Sequence, residues 1–169
     1  MRPIEHYEAL LSTRRRVLEW VHGLTSEEFL REFPFGHKSV RATLAHLAGA
    51  EWFYGRAVRG EVIDPENTAF NPENYPDLDS LEKDWKQVEC STRAWLEADQ
   101  DFGRRLERTT TTPEGKRLRI VYSPEKVAFQ MFYHEVHHRS QVMAMLKLMG
   151  HSVGNVDFSR QVYEWIELE

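Results

Sequence analysis

The apolar residues of this chain fall into four long stretches with helical spacing. In the first, Ile4, Tyr7, Leu11, Leu18 and Val21 recur three and four residues apart, Pro3 suits a first helical position and Gly23 a stop. This predicts a helix from Pro3 to about His22. Thr25-Ser26-Glu27-Glu28 then has the form of a capping box, opening a short turn that ends near Pro34. Ser39 is a good N-cap for a second long helix reaching Arg59 before Gly60. Its apolar residues occupy two faces: Val40, Leu44, Leu47, Trp52 and Tyr54 on one, and Ala42, His46, Gly49, Ala50, Phe53 and Ala57 on the other. A helix apolar on more than one side is buried among other helices, and the small residues beside His46 leave room for something to approach.

Residues 61–79 carry three prolines and several Asn and Asp, the composition of a long crossover connection. A third long helix is expected after Asp79, with Glu82 completing its cap and Leu81, Trp85, Val88, Thr92 and Trp95 alternating four and three apart. Two short β-prone runs between 104 and 122 flank Pro113-Glu114-Gly115 and predict a hairpin. Ser123-Pro124-Glu125 starts a fourth long helix that runs to Met149 before Gly150, and a short helix is expected in the tail from Ser159. The pattern as a whole predicts an all-α fold: a four-helix bundle with a short hairpin before the last long helix and a short C-terminal helix, one domain over residues 1–169. In such bundles cofactor sites lie between facing helices.

Composition narrows the function classes. The 169 residues suffice for one buried core. The formal charge is -5, and the longest basic run, Arg14-Arg15-Arg16, wraps all sides of the first helix and reads as solvated, so no nucleic-acid surface is expected. The single cysteine, Cys90, precludes an internal disulfide and suits a reducing compartment. It is out of phase with its helix's apolar stripe and reads as structural or idle. The N-terminus lacks the apolar core of a signal peptide, and no apolar run approaches the roughly 18 residues of a membrane span. The expectation is a cytoplasmic protein with no membrane partner.

The chemistry concentrates in residues 130–142, QMFYHEVHHRSQV, with three histidines in five residues. His134 and His138 are four apart, so they stack on one helical face with Val127, Met131, Gln141 and Met145, a stripe expected to face the core. Two imidazoles at that spacing can converge on one metal; the alternative is a pair satisfied by hydrogen bonds to each other or to water. His137 is rotated by roughly 100° from its neighbours and does not join the same chelate easily. For a third ligand, His46 is the best placed, mid-helix on a small-residue face, whereas His6, His22, His37 and His151 fall near helix ends or loops. His134-Glu135-Val136-His137-His138 also fits H-E-x-x-H, in which Glu135 would activate water in a zinc protease. That reading needs a downstream ligand, and only Glu164, in a short terminal helix, offers itself.

These segments resemble a known family. HEVHHRSQVMAMLKLMG is similar to the final-helix motif of the DinB/YfiT-like superfamily, H-x-x-x-H-R-x-Q followed by a leucine-rich stretch and Gly. SVRATLAHLAGAEWFYGRAVRGE resembles its second-helix motif, and VDFSRQVYEW its terminal Asp-containing segment. The likeness runs in order along nearly the whole chain. It implies an up-up-down-down four-helix bundle, a homodimer, and a divalent metal held by His46, His134 and His138; zinc and nickel both suit such imidazole ligands. Ser140 departs from the family's usual Gly. The resemblance also implies a small-molecule substrate, since the family contains thiol-dependent S-transferases and isomerases.

A metal on three neutral imidazoles suits hydrolysis or thiol transfer. The expected function is thus that of a metal-dependent thiol transferase or hydrolase, a low-molecular-weight thiol being one candidate partner. A metal-stabilised dimeric stress protein without catalysis is the alternative, and a zinc protease a third. Gln141, Arg139, His137 and Glu135 are the candidate catalytic residues: Gln141 one turn beyond His138 on the metal side, Arg139 and His137 flanking it toward an anionic substrate or a neighbouring chain. The competing roles are a core hydrogen bond for Gln141 and a structural ion pair for Arg139. His37 and the 61–79 loop are candidates for the pocket mouth.

Overall fold

The computed structural model describes residues 2–61, 69–98 and 101–167. They form a mostly helical fold with one two-stranded sheet. In chain order the elements are α1 (Pro3–Val21), α2 (Ser26–Leu30), α3 (Val40–Val58), a 3-10 turn (Pro72–Asn74), α4 (Leu78–Ala98), β1 (Leu106–Thr111), β2 (Arg117–Tyr122), α5 (Pro124–Leu148) and α6 (Ser159–Val162). The long helices α1, α3, α4 and α5 pack on one another, α3 against α4 and α5, and α1 against the same two. None is long and apolar enough to cross a membrane.

Local chemistry sets most boundaries. Thr25 and Glu28 form the reciprocal capping box at α2, and Ser39 and Ser123 accept from Ala42 and Lys126 to cap α3 and α5. Two expectations shift. The cap of α4 is Asp77, whose carboxylate accepts from the Ser80 amide at 2.8 Å, so the helix begins at Leu78, before Asp79. Gly23 takes no left-handed conformation: α1 ends on a right-handed His22. The hairpin is antiparallel, Leu106 opposite Tyr122 and Thr111 opposite Arg117. The Tyr122 hydroxyl ties it to the end of α3, donating to the Ala57 carbonyl at 3.0 Å. Residues 62–68 of the 61–79 crossover lie outside the described residues.

The apolar core is divided in two. One cluster gathers Val17, Leu18, Val21, Leu44, Leu47, Trp85, Val142 and Met145; the other gathers Tyr7, Leu10, Leu11, Val58, Trp95, Met131 and Phe132. On α1, Arg14 lies between the two sets; so do Glu51 on α3 and Glu135 on α5. These three side chains, each 2–4% exposed, form a buried polar layer. The Arg14 guanidinium donates through Nε to Glu135 Oε1 at 3.0 Å and through Nη2 to the second Glu135 oxygen. It also reaches Glu51 Oε2 at 2.8 Å and Glu89 Oε1 at 2.7 Å. Its face covers the Trp85 ring at 4.3 Å. Glu51 also accepts from the Trp85 indole at 2.8 Å and from the Tyr7 hydroxyl. Burial works against the charge on Arg14, but Glu135 and Glu51 hold its pKa well above the ordinary value.

Arg14 was expected on a solvated face with Arg15 and Arg16. Only the latter two are exposed, because three successive helical residues point in three directions and Arg14 shares the inward one with Leu10, Leu11, Val17 and Leu18. Replacing Arg14 with leucine should destabilise the protein by roughly 3–5 kcal/mol, since it strands two buried carboxylates. Arg14→Lys should cost less, keeping the charge while losing the bidentate fork. Urea unfolding of the two variants beside the wild type measures both.

Candidate metal centre

Four histidine rings meet beside this polar layer. His46 comes from the middle of α3, His134 and His138 from successive turns of α5, and His37 from the turn between α2 and α3. His46 Nε2 lies 3.0 Å from His134 Nε2. The ring centroids of His46, His134 and His138 are 4.5–4.8 Å apart. His37 stacks on His46 at 3.8 Å and lies 5.0 Å from His138. One nitrogen from each of His37, His46 and His138 can be chosen so that all three lie within 4.8 Å of one another.

Of the three residues singled out from the sequence, His46 and His138 belong to this set together with His37, while His134 is outside it and joins the cluster through its contacts with His46 and His138. His37 was assigned at most to a pocket mouth because a loop histidine has no periodicity to place it. Of the stripe expected to face the core, Val127, Met131 and Met145 are buried, but His134 and His138 lie half-buried on the flank toward α3, and the neighbouring buried positions are Glu135 and Arg139. The space beside His46 at Gly49 is also taken, since a Cβ there would stand 3.4 Å from the Phe70 Cβ.

Hydrogen bonding orients the cluster. Gln141 Oε1 accepts from His138 Nδ1 at 2.9 Å, which puts the His138 proton on Nδ1 and leaves its Nε2 lone pair free. Gln141 Nε2 donates to His137 Nε2 at 3.1 Å. His137 is exposed; besides this amide, its ring packs edge-on against His138 at 4.7 Å. Ser140, the departure from the family pattern, is exposed and donates to the Val136 carbonyl at 2.8 Å, away from the histidines. Tyr54, absent from the sequence-based candidates, stands edge-on to His134 at 5.8 Å, and burial raises its pKa so that it is a neutral phenol.

The remaining candidates are committed elsewhere. Glu135 is the bidentate partner of Arg14, and Arg139 is buried, donating to Thr13 Oγ1 and lying 3.7 Å from Glu135. Burial lowers the Arg139 pKa, Glu135 opposing. Glu164 is exposed, and among the described residues no cluster of potential metal ligands includes it. The zinc-protease reading therefore has neither an available general base nor, among the described residues, its downstream third ligand. Cys90 is free and exposed on α4.

The donor set fits a divalent ion. Burial first, and then the neighbouring imidazoles, pull His46 down to about 3 and His134 down to about 4; burial lowers His37 as well. These rings are neutral at pH 7 and present lone pairs, the state a metal requires. Two nitrogens each about 2.0–2.1 Å from a tetrahedral ion stand about 3.3–3.4 Å apart, close to the His46–His134 separation. Without an ion that contact needs one proton shared between two nitrogens; a cation uses both lone pairs.

The depressed values set a pH dependence for the metal-free protein. Histidines in an unfolded chain titrate near 6.5. Between about 4 and 6.5 the unfolded state takes up protons that folded His46 and His134 refuse, so stability is full above that window and falls as pH drops through it. Urea midpoints of chelator-treated protein should decline from pH 7.5 to 4.5, and a His46→Gln/His134→Gln double variant should flatten that slope.

No curated protein matches the chain at a significant level. A family model described as DinB family matches residues 2–167, which includes every histidine of the cluster. This chain belongs to the DinB family.

Proposed function

We propose that the chain is a metal-dependent enzyme acting on a small molecule by thiol transfer or hydrolysis. Its ligands are His46, His134 and His138, and its four long helices form an up-up-down-down bundle. The observation that carries the reading is the convergence of these imidazoles, from two helices, in neutral form and at near-chelating separation. Zinc or nickel suits such a donor set. The ion, when bound to three neutral ligands, supplies Lewis acidity that lowers the pKa of a water or thiol brought to it.

The protein's own residues then have defined tasks. The α3 and α5 backbones hold His46 opposite His134 and His138. Gln141 keeps the proton of His138 on Nδ1, so that Nε2 faces the centre. Neutral Tyr54 lies beside His134 and can offer a hydrogen bond to a substrate oxygen or sulfur. His137 and Gln141 form a polar path from the centre to the surface. The setting we assign is cytoplasmic and homodimeric, with no nucleic acid or membrane involved, in keeping with the charge, the lone cysteine and the family resemblance.

A second reading keeps the metal and removes the catalysis: the ion would stabilise a dimeric, stress-related protein. The crowding of a fourth imidazole onto the cluster favours it, because a closed nitrogen shell leaves a reactant no position.

Elemental analysis of untagged protein should find about one metal per chain, lost in His46→Ala, His134→Ala and His138→Ala. Gln141→Ala should retain metal with about 10–100-fold weaker affinity. Turnover of thiol or ester substrates by the loaded wild type separates the first reading from the second. Absence of metal after reconstitution with zinc or nickel would overturn both.

A further inference from the structure

Resting on that metal reading, we infer that His37 is a fourth nitrogen ligand, so that the turn at residues 33–38 decides whether the centre is closed or open to a reactant. Four features of the turn converge on this. The His37 ring lies against His46 at 3.8 Å, and its ligand atom is within 4.8 Å of those of His46 and His138. The ring is half-buried, yet among the described residues it has no hydrogen bond; its neighbours are the imidazoles of His46 and His138. Its lone pair is therefore not committed to another protein group.

The backbone delivers it there by a constrained route. Phe33 is buried and its amide donates to the Lys38 carbonyl at 2.5 Å, while the Lys38 amide donates to Phe35 at 3.0 Å. Gly36 and Lys38, on either side of His37, have φ of 58° and 71°. Lysine rarely adopts this left-handed conformation, which persists where surrounding structure enforces it. Immediately afterwards Ser39 caps α3, so the turn is pinned at both ends and His37 projects from its tip.

The same turn is locked to His138. A Cβ at Gly36 would stand 2.6 Å from Gln141 Oε1, the oxygen that accepts from His138 Nδ1. Only glycine both tolerates that φ and leaves this amide in place. The turn thus packs closely against the amide that orients His138. With all four nitrogens engaged, the shell is closed as in structural zinc sites; with the His37 side chain turned away, three ligands and an open position remain, as in catalytic ones.

Cobalt(II) reports coordination number directly. Chelator-treated wild type, His37→Ala, His37→Gln and His46→Ala would each be titrated with Co2+, with far-UV circular dichroism to verify folding. The wild type should bind one Co2+ per chain with the intense visible bands of a four-coordinate nitrogen shell. Both His37 variants should keep one Co2+ at least about tenfold more weakly, with weaker, shifted bands. They should respond to azide at concentrations that leave the wild type unchanged, and added imidazole should restore the wild-type spectrum. A purely structural role for His37 would move neither the azide response nor the imidazole rescue. Wild-type spectra and affinity in the His37 variants would overturn the fourth-ligand assignment while leaving the centre intact. Wild-type binding by His46→Ala would instead overturn the metal centre itself.

Discussion

Burying the positive charge of Arg14 commits three helices at once. A guanidinium taken out of water has to find acceptors for a rigid fork of donors, and here Glu51 on α3 and Glu135 on α5 supply them in the interior, with Glu89 on α4 reached at the layer's edge. Sliding α3 or α5 along its axis would move its carboxylate off the fork. Hydrophobic clusters lie on either side, but apolar burial is non-directional, whereas the hydrogen bonds of the polar layer between them require one alignment. The same two helices carry His46, His134 and His138. Glu51 lies just over a turn beyond His46, and Glu135 is the next residue after His134, so the ion-pair layer sets the height at which the histidines face each other.

The division of labour along α5 follows from helical geometry. Neighbouring residues are rotated by roughly 100°, so His134 and His138 look toward α3 while Glu135 and Arg139 look toward α1. One stretch of sequence thus carries both the histidine cluster and a structural ion pair without either obstructing the other. It also accounts for the misleading H-E-V-H-H string: the motif specifies spacing, whereas a protease needs the glutamate free beside the metal, and this one is held by Arg14. Gln141 continues the histidine face for a further turn, where its amide joins His138, His137 and the Gly36 turn.

Helix spacing, caps and the hairpin were legible in the sequence because each depends on nearby residues: a serine three positions before an amide, apolar groups every three or four positions, a Gly-containing turn between β-prone runs. The i,i+4 pairing of His134 with His138 was legible for the same reason, and the single mid-helix histidine on a small-residue face pointed to His46. By contrast, three successive arginines look alike in sequence, and only packing shows that Arg14 alone turns inward. Asp77 and Asp79 could each have capped α4; the choice of Asp77 placed Leu78 in the core.

The sequence by itself thus determined that long helices form, approximately where they lie, and which histidines share a face, since these are properties of a few consecutive residues and of the 3.6-residue period. Tertiary structure alone decided the partners: that Arg14 binds Glu51 and Glu135, that His46 stands 3.0 Å from His134, and that His37 reaches the cluster at all. These contacts join residues far apart in the chain. Their existence depends on how whole helices are placed, and no local pattern encodes the direction in which a turn such as 33–38 projects its side chain.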